Sequence, residues 1–147
     1  MKLSTRGRYG TRILLDLALS DGEGPVPLKD IAQRQQISLP YLEHLIAPLI
    51  TTGMVRSLRG ARGGIWLARL PQEIKLSEVV RVLEGSIDPV DCVNDPGACP
   101  RSASCVTRDI WNEVKEAMYE VLESKTLQDL VYMQKSKGEA NMLAHGV

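Results

Sequence analysis

Phenylalanine is missing from this 147-residue chain, and aromatic residues make up only 4% of it. Any core must therefore be aliphatic, built from Leu, Ile, Val and Ala. No apolar run approaches the roughly 20 residues that span a bilayer. No stretch reads as a targeting segment, so the expectation is a cytoplasmic protein without a membrane partner. Histidine is scarce, His44 and His145 being the only two. There is no paired general acid and base, no Gly-rich nucleotide loop after a strand and no Ser/His/Asp set, and an enzyme is not expected. Net charge is absent as well, 18 Lys and Arg balancing 18 Asp and Glu.

That balance conceals two halves of opposite sign. Residues 1–70 carry ten Lys and Arg against five Asp and Glu, whereas residues 71–147 carry eight against thirteen, giving +5 and −5. A basic half joined to an acidic half predicts that only the first meets phosphate. Hydrophobic residues, at 44%, suffice for one core, and the length fits one domain plus an extension or dimerisation arm.

Within residues 1–70 the pattern predicts a winged helix-turn-helix. Ser4 or Thr5 can cap a helix whose inner stripe is Tyr9, Ile13, Leu14, Leu17 and Ala18. Pro27 begins a short second helix that buries Leu28, Ile31 and Ala32. Ser38 caps a third helix with Pro40 in its first turn and Leu42, Leu45, Ile46 and Leu49 inward. Pro48 is expected to end or kink that helix. Residues 54–58 alternate like a strand, Ile65-Trp66-Leu67 can return as its partner, and the tip between them, Arg59-Gly60-Ala61-Arg62-Gly63-Gly64, combines arginines with glycines as a DNA-contacting wing does. Residues 71–134 then hold a helix over 76–84, a cysteine loop, and a long amphipathic helix from about Thr107 to Leu122. The apolar stripe of that helix fits packing against a second copy of the chain. A last short helix starts at Thr126, and residues 135–147, polar and aperiodic, are expected to form a flexible tail.

All three cysteines, Cys92, Cys99 and Cys105, lie in one segment broken by Pro96, Gly97 and Pro100. A disulfide leaves an odd thiol over, and inert burial lacks an apolar face. Zinc accepts the same thiolates, but the tight C-x2-C pairs of zinc knuckles are absent, which favours an iron–sulfur cluster held at three corners. A metal-free thiol redox switch is the alternative.

Taken together, Gly7-Arg8-Tyr9 with Leu15-Asp16-Leu17-Ala18-Leu19, Ser38-x-x-Tyr41-Leu42-Glu43, the Arg59-Gly60-x-x-Gly63-Gly64 wing and the three cysteines resemble the Rrf-two superfamily of bacterial regulators, and within it the IscR-type iron–sulfur regulators. The resemblance implies a homodimeric winged-helix repressor or activator that binds double-stranded operator DNA. Its affinity would follow a [2Fe–2S], or less favoured [4Fe–4S], cluster on Cys92, Cys99 and Cys105, in control of cluster-biogenesis genes; nitric-oxide sensing is the variant theme. It further implies DNA contacts from Ser38, Pro40, Tyr41, Glu43, Arg59 and Arg62. IscR-type members place a histidine three residues after the last cysteine, where this chain has Arg108, and nitric-oxide-sensing relatives use an acid in the first helix, where it has Arg8. Arginine cannot ligate. The fourth ligand is therefore expected from Glu43 first and His44 second, with Asp91, Asp95, Asp109 or water behind them. A ligating Glu43 would be withdrawn from DNA while the cluster is held.

Overall fold

The computed structural model describes the backbone of residues 2–144 and side chains as far as Glu139. Among the described residues there are six α-helices and one hairpin, five of the helices contributing to a single aliphatic core, and no helix is long and apolar enough to cross a membrane. α1 (Thr5–Leu19) begins at Ser4, whose hydroxyl accepts the Gly7 N–H and so satisfies one of the first-turn amides that has no partner in the helix. Its inner face places Ile13, Leu14, Leu17 and Ala18 in the core. Gly10 lets α1 lie directly against the end of α4 (Leu76–Glu84), since a Cβ there would stand 2.5 Å from Leu83 Cδ1. The same junction is tied by the Ser4 backbone and hydroxyl, both donating to Glu84 Oε1 at 2.9 and 2.6 Å.

α2 (Leu28–Gln35) stops at Gln36, which adopts a left-handed conformation at φ 56°. α3 (Leu39–Thr51) restarts three residues later, with Ser38 Oγ accepting the Tyr41 N–H at 3.2 Å. The end of α2 is tied to α1. Asp16, only 6% exposed, accepts Arg34 Nη2 at 2.6 Å and Nε at 3.0 Å, together with Gln35 Nε2 at 2.9 Å. Both donors are the last residues of α2, so this buried carboxylate sets where the turn begins. Replacing Arg34 with Ala leaves Asp16 with the amide alone, and the expected loss is about 2 kcal/mol, the worth of a hydrogen bond to a charged group; urea unfolding of the variant beside the parent measures it.

Of the two outcomes expected at Pro48, an early end to α3 is not found. The helix runs three residues past it, and the Thr51 and Thr52 hydroxyls donate to the Ala47 and Pro48 carbonyls, supplying the final turn with side-chain bonds. The hairpin of β1 (Val55–Leu58) and β2 (Gly64–Leu67) has the register Val55 opposite Leu67 and Leu58 opposite Gly64. Val55, Ile65 and Leu67 point into the core, and Val26 pairs with the outer edge of β2 through two Val26–Ile65 backbone bonds of 2.9 Å.

From Leu70 a 3-10 turn leads into α4, which buries Val79, Val80 and Leu83. α5 (Val106–Glu123) is the outlier, with no buried residue at all; it rests on α4 and on the turn at Asp91–Val93. α6 (Leu127–Ala144) then returns to the first half, and Leu127 and Val131 join the same core as Ile13 and Leu17. The expected end of structure at Lys135 is not found, because helix continues to Ala144. Lys, Glu, Ala and Met in this stretch are strong helix formers, and only Gly138 opposes them. Residues 145–147, and with them His145, lie outside the described residues.

The base of this second half is closed by carboxylates held below their ordinary range. Arg69 holds Glu78 down by a side-chain hydrogen bond, Lys75 and then Ser77 do the same to Glu123, and the Thr126 backbone N–H and hydroxyl lower Asp129. A depressed carboxylate contributes stability that is complete above its unfolded value and is lost as pH falls through the folded one. Stability is thus expected to be flat near neutrality and to fall below about pH 4.5, the ordinary Glu value; Glu123→Gln should flatten that acid limb in melts recorded from pH 6 to 3.

Candidate nucleic-acid interface and cysteine loop

At the start of α3, Ser38, Pro40, Glu43 and His44 are exposed and Tyr41 is half-buried. The outward set is what the inward spacing of Leu42, Leu45, Ile46 and Leu49 leaves over. Tyr41 is steadied from beneath: the Tyr9 ring meets it edge-on at 6.2 Å, the Arg12 guanidinium lies 5.1 Å over Tyr9, and Arg12 Nε donates to Gln35 Oε1 at 3.0 Å. A groove of about 580 Å³ separates this face from the wing and is lined by Lys29, Glu43, Ile46, Arg59 and the wing glycines. Arg59 and Arg62 at the wing tip are exposed and form no ion pair among the described residues. One exposed helix end and one cationic hairpin tip thus flank a groove, an arrangement able to hold a phosphate backbone on either side of a base-reading helix. Lys29 belongs to this surface although sequence reasoning passed over it; its place two residues after Pro27, at the start of α2, was the available signal.

The cysteine loop lies away from that groove. After a 3-10 turn over Asp91–Val93 and another over Pro96–Ala98, Cys105 caps the N-terminus of α5. All three thiols are free and half-buried. Val93 buries itself as the loop's apolar anchor, and the Ser102 hydroxyl donates to the Cys99 carbonyl at 2.9 Å. Cys105 Sγ lies 3.1 Å from Thr107 Oγ1. That hydrogen bond, and after it the Arg108 backbone N–H, hold the thiol below its ordinary value, as expected where a sulfur meets the positive end of a helix. Arg108 donates Nε to the Cys92 carbonyl at 2.8 Å.

Among the described residues no three Cys, His, Asp or Glu side chains stand together as a ready metal site. The donor set nonetheless fits a thiophilic centre, since three free sulfurs share one loop and one of them is already biased toward thiolate. What is lacking is convergence, which a loop with few tertiary bonds can supply. Glu43 and His44, expected as fourth-ligand candidates, are not brought to the cysteines: Glu43 lines the wing groove, to which no residue of the cysteine loop contributes, and His44 is exposed beside it. Asp91, Asp95 and Asp109 are exposed, and Asp95 is engaged in accepting the Gly97 N–H at 3.0 Å.

Comparison with known proteins gives consistent matches. The family model for Rrf2, described as an iron-dependent transcriptional regulator, matches residues 3–133. The protein rrf2 of Nitratidesulfovibrio vulgaris is 50% identical over 131 residues, 89% of this chain and 87% of that one. Among solved structures, CymR of B. subtilis, described as its global cysteine regulator, superimposes with a TM-score of 0.77 at 43% identity over 90% of this chain and 98% of its own. IscR of T. potens does so with a TM-score of 0.75 at 47% identity over 97% and 92%.

Proposed function

The chain belongs to the Rrf2 family of transcriptional regulators, and from that premise we propose that it reports iron–sulfur cluster status to operator DNA, in control of cluster-biogenesis genes. A single observation carries the reading: three free thiols share one loop at the head of α5, while the exposed α3 face and cationic wing flank a separate groove to which that loop does not contribute. Cys92, Cys99 and Cys105 would hold the cluster, [2Fe–2S] in preference to [4Fe–4S]. The group would supply a redox-active centre open to loss by oxidation or by nitric oxide. The loop residues gather and orient it; Arg108 steadies the Cys92 backbone, and the α5 amides favour the Cys105 thiolate. Placement of Glu43 in the wing groove supports giving that carboxylate to DNA and the fourth position to a donor from outside α3. On that basis Glu43→Ala should leave the visible spectrum of loaded protein unchanged and alter operator preference.

DNA contact rests on Ser38, Pro40, Tyr41 and Glu43 at the helix start and on Arg59 and Arg62 at the tip. Arg59→Ala is expected to weaken operator binding about tenfold and to lower the salt-dependence slope by about one, read by titration at several KCl concentrations. α5 supports a homodimer, since Val106, Ile110, Trp111 and Val121 are all exposed in the single chain and a two-fold copy would cover them. Anaerobic purification with iron and sulfide analysis, followed by mobility-shift titration of loaded and metal-free protein on promoter DNA, tests the whole. Brown, iron-containing protein whose affinity or site choice changes on cluster removal is expected; colourless, iron-free protein with unchanged binding overturns it.

A second reading, a metal-free thiol sensor, is favoured by the lowered Cys105 value and by the similarity to CymR. It predicts that mild peroxide changes DNA binding in iron-free protein and that reductant reverses the change.

A further inference from the structure

Two cations on α5, Arg108 and Lys115, are used by neither DNA contact nor metal ligation, yet both reach into the cysteine loop. They lie seven residues apart, two helical turns, and so share one face. Arg108 Nε holds the Cys92 carbonyl at 2.8 Å. Lys115 Nζ donates to Asn94 Oδ1 at 2.7 Å and stands 3.4 Å from Asp88 Oδ1. Only 18% of the Lys115 side chain and 6% of Asp88 are exposed. That Asp88 oxygen accepts no hydrogen bond among the described residues, while the other receives the Ser86 hydroxyl.

These bonds are distributed unevenly over the three thiols. Cys92 is held by its carbonyl to Arg108, and its limb again at Asn94. Cys105 is the N-cap of the same helix, three residues before Arg108. Arg108 therefore ties the Cys92 limb to the helix end that carries Cys105. Cys99 has only the local bond from Ser102, and no side-chain bond ties residues 95–104 to α5 among the described residues.

We propose that Arg108 and Lys115 are positioning residues that dock the Cys92 limb on α5, making Cys92 and Cys105 a fixed pair of donors to which Cys99 is added last. Lys115 has a second seat. Withdrawal of Asn94 as the loop closes lets the ammonium tighten its 3.4 Å ion pair with Asp88 Oδ1 into a charge-assisted hydrogen bond, in place of the one it gives up. The state of the loop is thereby felt at the floor between α4 and α5. The proposal rests on the cluster reading for its purpose but not for its geometry.

The test uses reduced, metal-free full-length protein and limiting iodoacetamide, with the rate at each cysteine followed by mass spectrometry. Arg108→Ala and Asn94→Ala are each expected to speed alkylation of Cys92 at least fivefold, while Cys99 and Cys105 change less than twofold, because the α5 amides at Cys105 remain. Arg108→Lys keeps a donor and should return Cys92 to within about twofold of the parent. Asn94→Ala removes the tether without stranding Asp88, so it reports even if Lys115 variants fold poorly. A Cys92 rate unchanged in the Arg108→Ala, Asn94→Ala double variant, or a rise shared equally by all three thiols, overturns the proposal. Titration with Co2+ then separates this from the cluster reading. Retained three-thiolate charge-transfer absorption with a weaker midpoint in Arg108→Ala supports the positioning role, whether or not the parent binds iron; an unchanged midpoint counts against it.

Discussion

Serine at any one of Cys92, Cys99 or Cys105 is expected to abolish the visible absorption of anaerobically loaded protein while leaving the fold in place. A hydroxyl oxygen is a hard, weakly acidic donor where iron and sulfide demand a soft thiolate, and with two sulfurs left the loop can fill only half of a four-coordinate site. The fold should not notice. All three thiols are half-buried and none belongs to the hydrophobic core, so thermal midpoints should stay within the range of surface substitutions, about 0.5 kcal/mol. The three variants are then locked in metal-free form and should share one DNA affinity, that of chelator-treated parent. Colour surviving in Cys99→Ser would remove the central thiol from the site and with it the three-thiolate reading; three variants with three different DNA affinities would separate the loop from DNA control.

Gly64→Ala is expected to produce a large loss of stability. A Cβ at Gly64 would stand 2.2 Å from the Val26 carbonyl oxygen and 2.4 Å from its carbon. These are backbone atoms, which cannot rotate aside as a side chain would. To admit the methyl group, β2 must part from Val26, giving up the two Val26–Ile65 bonds of 2.9 Å and shifting Ile65 out of the core. Overpacking of this kind and two lost backbone bonds together suggest about 3–4 kcal/mol, or roughly a 10 °C fall in melting temperature for a chain of this size. DNA binding should fall further than in Arg59→Ala, since the whole tip is displaced rather than one guanidinium removed. Ala61→Ser, at the exposed tip, is the matched control and should be silent in both measurements.

Where local chemistry decides the structure, the sequence is enough to read it. Ser4 and Ser38 cap the helices they were expected to cap, the alternation of residues 54–58 against 65–67 yields the hairpin, and the inward leucines and isoleucines of α3 are those with helical spacing. The errors arise where distant contacts or side-chain bonds override a local rule. Pro48 stays within the helix, and the Thr51 and Thr52 hydroxyls bond the Ala47 and Pro48 carbonyls in the turn that follows. The helix past Lys135 follows residue propensity, which polarity and lack of period concealed. Asp16 could be quoted only as part of a motif, because nothing local says that an acid amid leucines will meet Arg34, eighteen residues away. For the cysteine loop, composition located the donors but not their geometry. Arg108 could be excluded as a ligand from its chemistry, yet its hold on the Cys92 carbonyl is a tertiary contact, invisible from spacing. The placement of Glu43 against the wing likewise depends on where the hairpin folds back.

Lys75 and Thr126 sit side by side in an isolated antiparallel bridge, with the Leu76 N–H on the Lys125 carbonyl at 2.9 Å and the Leu127 N–H on the Ile74 carbonyl at 3.0 Å. The chain thus departs for α4 and comes home from α5 through one gate. Residues added or deleted between Gly85 and Cys105 only lengthen or shorten an excursion whose ends are already joined, and even doubling such a span costs on the order of 0.6 kcal/mol. Evolution can therefore exchange this loop-and-helix cassette for another of different length and chemistry while the winged-helix scaffold is inherited intact.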